Sequence, residues 1–197
     1  VRNRVELVLD WATARGYRAG LNPARWRGHL DKLLPKPEKV SKTTHHAALP
    51  YEEMGPFMTS LRESPGVGAR ALELAILTAT RSGEVRGATW DEFDLKAQLW
   101  TIPGDRMKAE KEHRVPISKA CIELLRKLPK MEGTNHVFTA GKGKPLSDMT
   151  LTAVLRRMDI DVTVHGFRST FRQWAGEQTN FPREVCEHAL AHQLPDK

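Results

Sequence analysis

Phe93-Asp94-Leu95-Lys96-Ala97-Gln98-Leu99-Trp100-Thr101-Ile102-Pro103-Gly104, followed after eight residues by His113-Arg114-Val115-Pro116-Ile117, decides the fold class. Three short runs rich in aromatic and β-branched residues lie close together: one around 93–95, one at 99–102 that Pro103-Gly104 ends, and one at 113–117. Short strands this near in sequence predict a small antiparallel sheet. On both sides the pattern is helical. Upstream, 51–61 reads as a helix, and 69–80 as a strongly apolar, buried one through Ala71, Leu72, Leu74, Ala75, Ile76 and Leu77. Downstream, helices are predicted at 118–128, 147–158, 166–177 and 183–191. The expected fold is mainly α with a small three-stranded antiparallel β-sheet, an α+β domain.

The first 44 residues read differently. Val5, Val8, Trp11 and Ala12 recur at helical spacing and Gly16 marks a stop. Asn22-Pro23 predicts an N-cap with proline at the first helical position, opening a helix through Leu30. Leu34-Pro35-Lys36-Pro37 and the polar, basic run to Thr44 read as an extended linker. Two helices cannot bury a core alone. Residues 1–44 are therefore expected to be the C-terminal part of a helical domain plus linker, and 45–197 a second domain. Val1 is not an initiating methionine, which predicts a piece of a longer protein.

Composition narrows the function classes. The 197 residues carry 31 Lys+Arg against 24 Asp+Glu, a formal charge of +7, with 40% hydrophobic and 28% charged residues. That balance supports a folded core and argues against a wholly disordered chain. No apolar run approaches membrane-span length and no signal-peptide pattern opens the chain. Two cysteines, Cys121 and Cys186, give no disulfide framework, so a reducing, cytoplasmic setting is expected. The charge is concentrated: residues 1–44 carry a net +6, and 106–144 another +6. Two separated basic segments suit a grip on a polyanion from two sides, with double-stranded DNA the expected partner. Lys36, Lys39 and Lys42 in the first, and Arg106, Lys111 and Arg114 in the second, are the candidate DNA contacts. A solvated surface is the plain alternative.

Three short patterns carry chemistry. In His165-Gly166-Phe167-Arg168, a helix places positions 165 and 168 one turn apart. A guanidinium fork and an imidazole side by side suit a phosphate, though such pairs also serve as helix caps or ion pairs. In Thr80-Arg81-Ser82-Gly83-Glu84, an arginine follows the buried helix directly and a glutamate three residues on can orient it. The alternative there is a helix-end ion pair, worth little at a surface. Met107-Lys108 lies in the turn of the expected hairpin, where an ammonium becomes a general acid only beside a phosphate leaving group.

In this order, Arg81 within Thr-Arg-Ser-Gly-Glu, Lys108, His165-x-x-Arg168 and Leu190-Ala191-His192 resemble the tyrosine recombinases, the phage integrase family. Met107-Lys108…His113-Arg114-Val115-Pro116 and His45-His46-Ala47-Ala48-Leu49-Pro50 resemble its prophage and genomic-island branch. The resemblance implies that 1–44 end a core-DNA-binding domain and 45–197 are most of a catalytic domain. It implies site-specific recombination of double-stranded DNA at attachment sites, through a 3′-phosphotyrosyl intermediate and without a metal or other cofactor, in the bacterial nucleoid. It implies tetramers of the full-length protein on DNA, this piece itself being compatible with a monomer. Arg81 and Arg168 would clamp the phosphate, Lys108 would protonate the leaving oxygen, and His165 would take a proton or bond the phosphate. His192 would contact the phosphate and Glu84 would brace the site.

The family's nucleophile is a tyrosine about nine residues beyond the His192 position. The sequence ends at Lys197, and its tyrosines are Tyr17 and Tyr51, neither after Leu190-Ala191-His192. The chain is therefore expected to be truncated before the nucleophile and inactive in covalent cleavage. Competing readings are a DNA-binding module without catalysis, a degenerate prophage remnant, and a type IB topoisomerase, whose chemistry is similar. His188 and His192 stand four apart on a helix, a zinc-compatible spacing, but Cys186 faces elsewhere and no zinc site is expected.

Overall fold

The apolar run at 69–77 becomes the central helix of the larger of two compact units, Val1–His45 and His46–Lys197. A computed structural model of the chain describes residues 1–35, 47–107 and 110–192. In the second unit the helices are α3 (Met54–Glu63), α4 (Val67–Thr78), α5 (Ser82–Arg86), α6 (Lys119–Lys127), α7 (Thr150–Arg157), α8 (Gly166–Gln178) and α9 (Arg183–Ala189). Helix α4 is buried because both its faces are apolar: Ala71, Leu72 and Leu74 are fully enclosed. It packs against α3, α5, α6 and α7. At the α7 crossing, a Cβ on Gly68 would lie 2.9 Å from Thr150 Cγ2, so glycine is what lets the two helices approach.

The sheet is β1 (Phe93–Asp94), β2 (Leu99–Ile102) and β3 (His113–Pro116), antiparallel in the order β1-β2-β3. Trp100 faces Val115 and Ile102 faces His113 across the β2–β3 pair. Trp100 and Ile102, two apart on β2, are both fully buried, as strand alternation requires. Phe93 stacks on Trp100 with ring centroids 5.0 Å apart, and the indole N–H donates to Glu92 Oε2 at 2.8 Å. The sheet was legible in the sequence, but β1 stops before Leu95. Asp94 Oδ1 accepts from the N–H groups of Lys96 and Ala97, at 2.9 and 2.8 Å, and bends the chain there.

The predicted helices in this unit form with shifted ends. The 51–61 prediction resolves into a tight turn at Tyr51–Glu53 followed by α3. Helix α4 ends before Thr80, because Ala79 adopts a left-handed conformation with φ 51°.

In the first unit, α1 (Arg2–Ala14) forms and leaves Val5, Val8 and Trp11 exposed. The helix expected over 22–30 does not form. Asn22 bonds its side-chain oxygen to the Ala24 N–H at 2.9 Å, and its amide donates to Glu6 O and Asp10 Oδ1. It fastens the chain to α1. Arg27 is extended and Gly28 left-handed (φ 72°), so only the single turn α2 (Asp31–Leu33) is helical there. Among the described residues no helix is long and apolar enough to cross a membrane.

Candidate functional site

Three helix ends in the second unit meet at one place. At the first, the left-handed Ala79 turns the chain out of α4, and Arg81 becomes the N-cap residue of α5. Glu84, only 4% exposed, holds Arg81 twice: Oε2 accepts from the Arg81 backbone N–H at 2.8 Å and Oε1 from Nη1 at 2.9 Å. A buried carboxylate with one arginine wrapped around it orients that guanidinium and offsets its charge. Arg106 pairs with Glu92 and donates to the Glu84 carbonyl. Its charge, counted in the second basic segment, is paired there, and its side chain lines the same cleft as Arg81, His165 and Arg168.

The second end is the start of α8. His165 is its N-cap residue and is exposed, whereas Arg168, one turn on, is 5% exposed. Gly166 lies against residues 47 and 48, where a Cβ would come 2.1 Å from the Ala47 carbonyl oxygen. The motif's glycine therefore admits the backbone of the unit's own first described residues. Arg168 donates through Nη1 to the Ala79 carbonyl and through Nη2 to the Leu190 carbonyl at 2.6 Å. Its Nε–H is buried and finds no hydrogen-bond partner among the described residues. Burial, and then the nearby positive charge of Arg81, lower its pKa from 12.5 to about 10, against the opposing pull of Glu84.

The third end closes α9. Ala191 N–H bonds the His188 carbonyl and His192 N–H the Glu187 carbonyl, both at 2.9 Å, with Ala191 left-handed at φ 49°. This is a Schellman motif, built on alanine where glycine is usual. It brings His192 back beside Glu187. The two side chains meet at 2.7 Å through Nδ1 and Oε2, while Nε2 of His192 stands 3.2 Å from Arg168 Nη2. Arg81 Nη2 approaches the Ala191 carbonyl at 3.4 Å.

Arg81, His165 and Arg168 line a cleft of about 510 Å³. His165, Arg168 and His192 line an adjoining one of about 540 Å³. A larger cavity of about 1090 Å³ opens near Arg62, Arg70 and Leu124, at the other end of α4. Its two arginines are both paired with the buried Glu73, so it offers little free positive charge.

The predicted site residues thus divide. Arg81, Glu84, His165, Arg168 and His192 come together although up to 111 positions separate them. Lys108, and the linker residues Lys36, Lys39 and Lys42, lie outside the described residues. Lys111 and Arg114 are exposed, on and beside β3. Tyr51 accepts a bond from Gln178 Nε2 at 2.9 Å. Gln178 is ten residues beyond Arg168 on α8, about 15 Å at helical rise. Among the described residues no group of three His, Cys, Asp or Glu side chains could hold a metal ion.

Two neighbours of the site escaped the sequence reading. His113, at the start of β3, is half-buried, and burial holds its pKa below the usual value; Arg81 and Arg168 act in the same direction, while Glu84 and the Ala189 carbonyl oppose them. Glu187 is held below the ordinary carboxylate range by its bonds from His192 and Arg172. Only foreknowledge of the Schellman turn would have placed Glu187 beside His192.

The family model described as the phage integrase family matches residues 49–194. The integrase of Enterobacteria phage P4 is 34% identical over 98% of this chain and 47% of its own length. The prophage integrase IntA of Escherichia coli strain K12 is 30% identical over 83% of this chain and 40% of its own. The chain spans less than half the length of these curated relatives. Among solved structures, a lambda integrase dimer bound to a COC′ core site superposes with a TM-score of 0.68 at 17% identity, covering 98% of this chain and 70% of that one. The Tn1549 transposon integrase in complex with circular intermediate DNA gives 0.69 at 16% identity, over 98% and 71%. At these identities the two structures show a shared fold.

Proposed function

Because the chain belongs to the phage integrase family, the tyrosine recombinases, we propose that it carries the phosphate-activating part of a site-specific DNA integrase. The observation that carries this reading is the convergence of Arg81 and Arg168, one braced by a buried carboxylate and one itself buried with an unpartnered Nε–H, beside His165 and His192. A buried guanidinium of lowered pKa is costly to keep, and a phosphodiester is the partner that repays its burial.

The substrate is double-stranded DNA at attachment sites. In the reaction, a hydroxyl oxygen attacks phosphorus and the 5′-oxygen leaves. Negative charge grows on the non-bridging oxygens, where Arg81 and Arg168 stabilise it by donated hydrogen bonds. Lys108 gives its proton to the leaving oxygen, and His165 accepts the proton of the attacking hydroxyl or bonds the phosphate. His192 acts on the phosphate through Arg168, whose Nη2 it bonds, and Glu84 keeps Arg81 in place. The attacking group in the family is a tyrosine, forming a 3′-phosphotyrosyl intermediate. Neither Tyr17 nor Tyr51 takes that role: neither follows Leu190-Ala191-His192, and Tyr51 is bonded near the far end of α8.

Residues 1–44 act as the end of a core-DNA-binding domain with its linker, and 45–197 as catalytic domain. A lambda integrase tetramer has been solved on a Holliday junction, and a tetramer on DNA is the proposed assembly of the whole protein here. The test is a nicked suicide duplex followed on a denaturing gel. The 197-residue chain should bind the duplex without becoming linked to it. Fused past Lys197 to the tyrosine-bearing segment of a full-length family member, it should form a covalent adduct that Arg81→Ala removes. An adduct from the 197-residue chain that Tyr51→Phe abolishes would overturn the assignment, and so would an Arg81→Ala fusion that still cleaves.

A further inference from the structure

We propose that Glu187 is a positioning residue that fixes the tautomer and ring direction of His192. The inference rests on the reading of Arg168 and His192 as one phosphate site. It follows from donor and acceptor chemistry. A guanidinium only donates and a carboxylate only accepts. His192 lies between the two, with Nδ1 2.7 Å from Glu187 Oε2 and Nε2 3.2 Å from Arg168 Nη2. The proton is therefore on Nδ1, and the Nε2 lone pair accepts from Arg168.

Glu187 is itself fastened from two helices. Its Oε1 accepts from Arg172 Nε of α8 at 2.9 Å, and Arg183 Nε of α9 stands 3.7 Å away. Its side chain is 13% exposed, against 44% for that of His192. The more buried, doubly held carboxylate thus directs the more exposed ring. The Schellman turn supplies the approach, since it folds the residue three beyond the helix end back over the third from last. The usual apolar contact at that place is replaced here by an ionic hydrogen bond. With the ring so turned, Arg168 keeps Nη2 on both Leu190 and His192. A carboxylate orienting an imidazole in this manner is a recurrent device in acid–base sites.

The test is long-range ¹H–¹⁵N correlation of the imidazoles in the 197-residue chain, with the His192 signals assigned by their loss in His192→Gln. The wild-type chain should show His192 protonated at Nδ1 and bare at Nε2. Glu187→Ala should shift the tautomer ratio toward Nε2–H by about tenfold or more, the equivalent of one charge-assisted hydrogen bond. Glu187→Gln should restore Nδ1–H, because the amide oxygen still accepts. Arg172→Met removes the helix-to-helix brace and should leave the tautomer unchanged, which separates orientation from general support. Nε2–H in the wild-type chain, or a Glu187→Ala spectrum identical to wild type, overturns the proposal. These spectra are recorded without DNA, so failure of the recombinase reading in the adduct assay would register separately.

Discussion

Gly166→Ala adds one methyl group where the start of α8 meets the backbone at residues 47 and 48. The new Cβ would lie 2.1 Å from the Ala47 oxygen, 2.9 Å from its carbonyl carbon and 3.0 Å from Ala48 Cα. These are main-chain atoms, which cannot step aside as a side-chain tip can. The Ala47 carbonyl also accepts from Thr163 N–H at 3.0 Å, and Thr170 Oγ1 bonds the Leu49 carbonyl at 2.5 Å, so the segment is seated on this helix from both sides. Overpacking of this kind costs about 1–3 kcal/mol, and losing the Thr163 bond about 1 kcal/mol more. Alanine returns up to about 1 kcal/mol through helix propensity. The net loss is about 1–3 kcal/mol, which in a chain of this size lowers Tm by roughly 3–10 °C. Thermal unfolding followed by circular dichroism measures it. Gly55→Ala is the control, since Gly55 is the second residue of α3 and has nothing within 4 Å of its Cβ position; it should leave Tm unchanged or slightly raised. A Gly166→Ala chain as stable as wild type would refute the close approach, and with it the account of why His165 and Arg168 are spaced by this glycine.

Acid should destabilise the fold in two stages. His113 has a pKa lowered from 6.5, so below about 6.5 the unfolded chain gains a proton that the folded chain resists, and stability falls. Glu187 is lowered from 4.5, so its contribution, complete above about 4.5, is lost as the pH drops further. Urea unfolding at about pH 8, 6 and 4 should show both steps, with His113→Asn removing the first; equal stability at all three pH values would contradict it. Replacing Lys36, Lys39 and Lys42 together with alanine should weaken binding to all duplexes alike and flatten the dependence on log salt by about 3. An unchanged salt slope would remove the linker from the DNA contacts.

The sheet was readable because Leu99-Trp100-Thr101-Ile102 combines strand composition with a Pro-Gly stop, and strand faces follow from a period of two. Helix ends were less readable. Both α4 and α9 end on left-handed alanines, Ala79 and Ala191, where no glycine signals the stop. Asn22-Pro23 has the residues of a helix start, yet Asn22 is drawn to Glu6 and Asp10 of α1 by contacts distant in sequence. In the site, Arg81, His165, Arg168 and His192 could be named because family resemblance preserves short motifs. Glu187 belongs to no such motif, and its relation to His192 exists only once the Schellman turn has formed. Arg106 illustrates the limit of counting charge: a basic segment does not reveal which guanidinium is already paired with a carboxylate, as Arg106 is with Glu92 at the edge of the cleft.

The most direct measurement concerns the Arg168 Nε–H, a buried donor with no partner among the described residues. Its ¹⁵N–¹H resonance can be followed while a short duplex is titrated into the labelled chain, with Arg81→Ala run in parallel. If Arg81 and Arg168 clamp a phosphodiester, the Arg168 Nε–H signal moves downfield and saturates with the duplex, and the movement is lost or strongly reduced in Arg81→Ala. Saturating DNA binding that shifts surface amides and leaves Arg168 Nε–H where it was would contradict the phosphate-activating site.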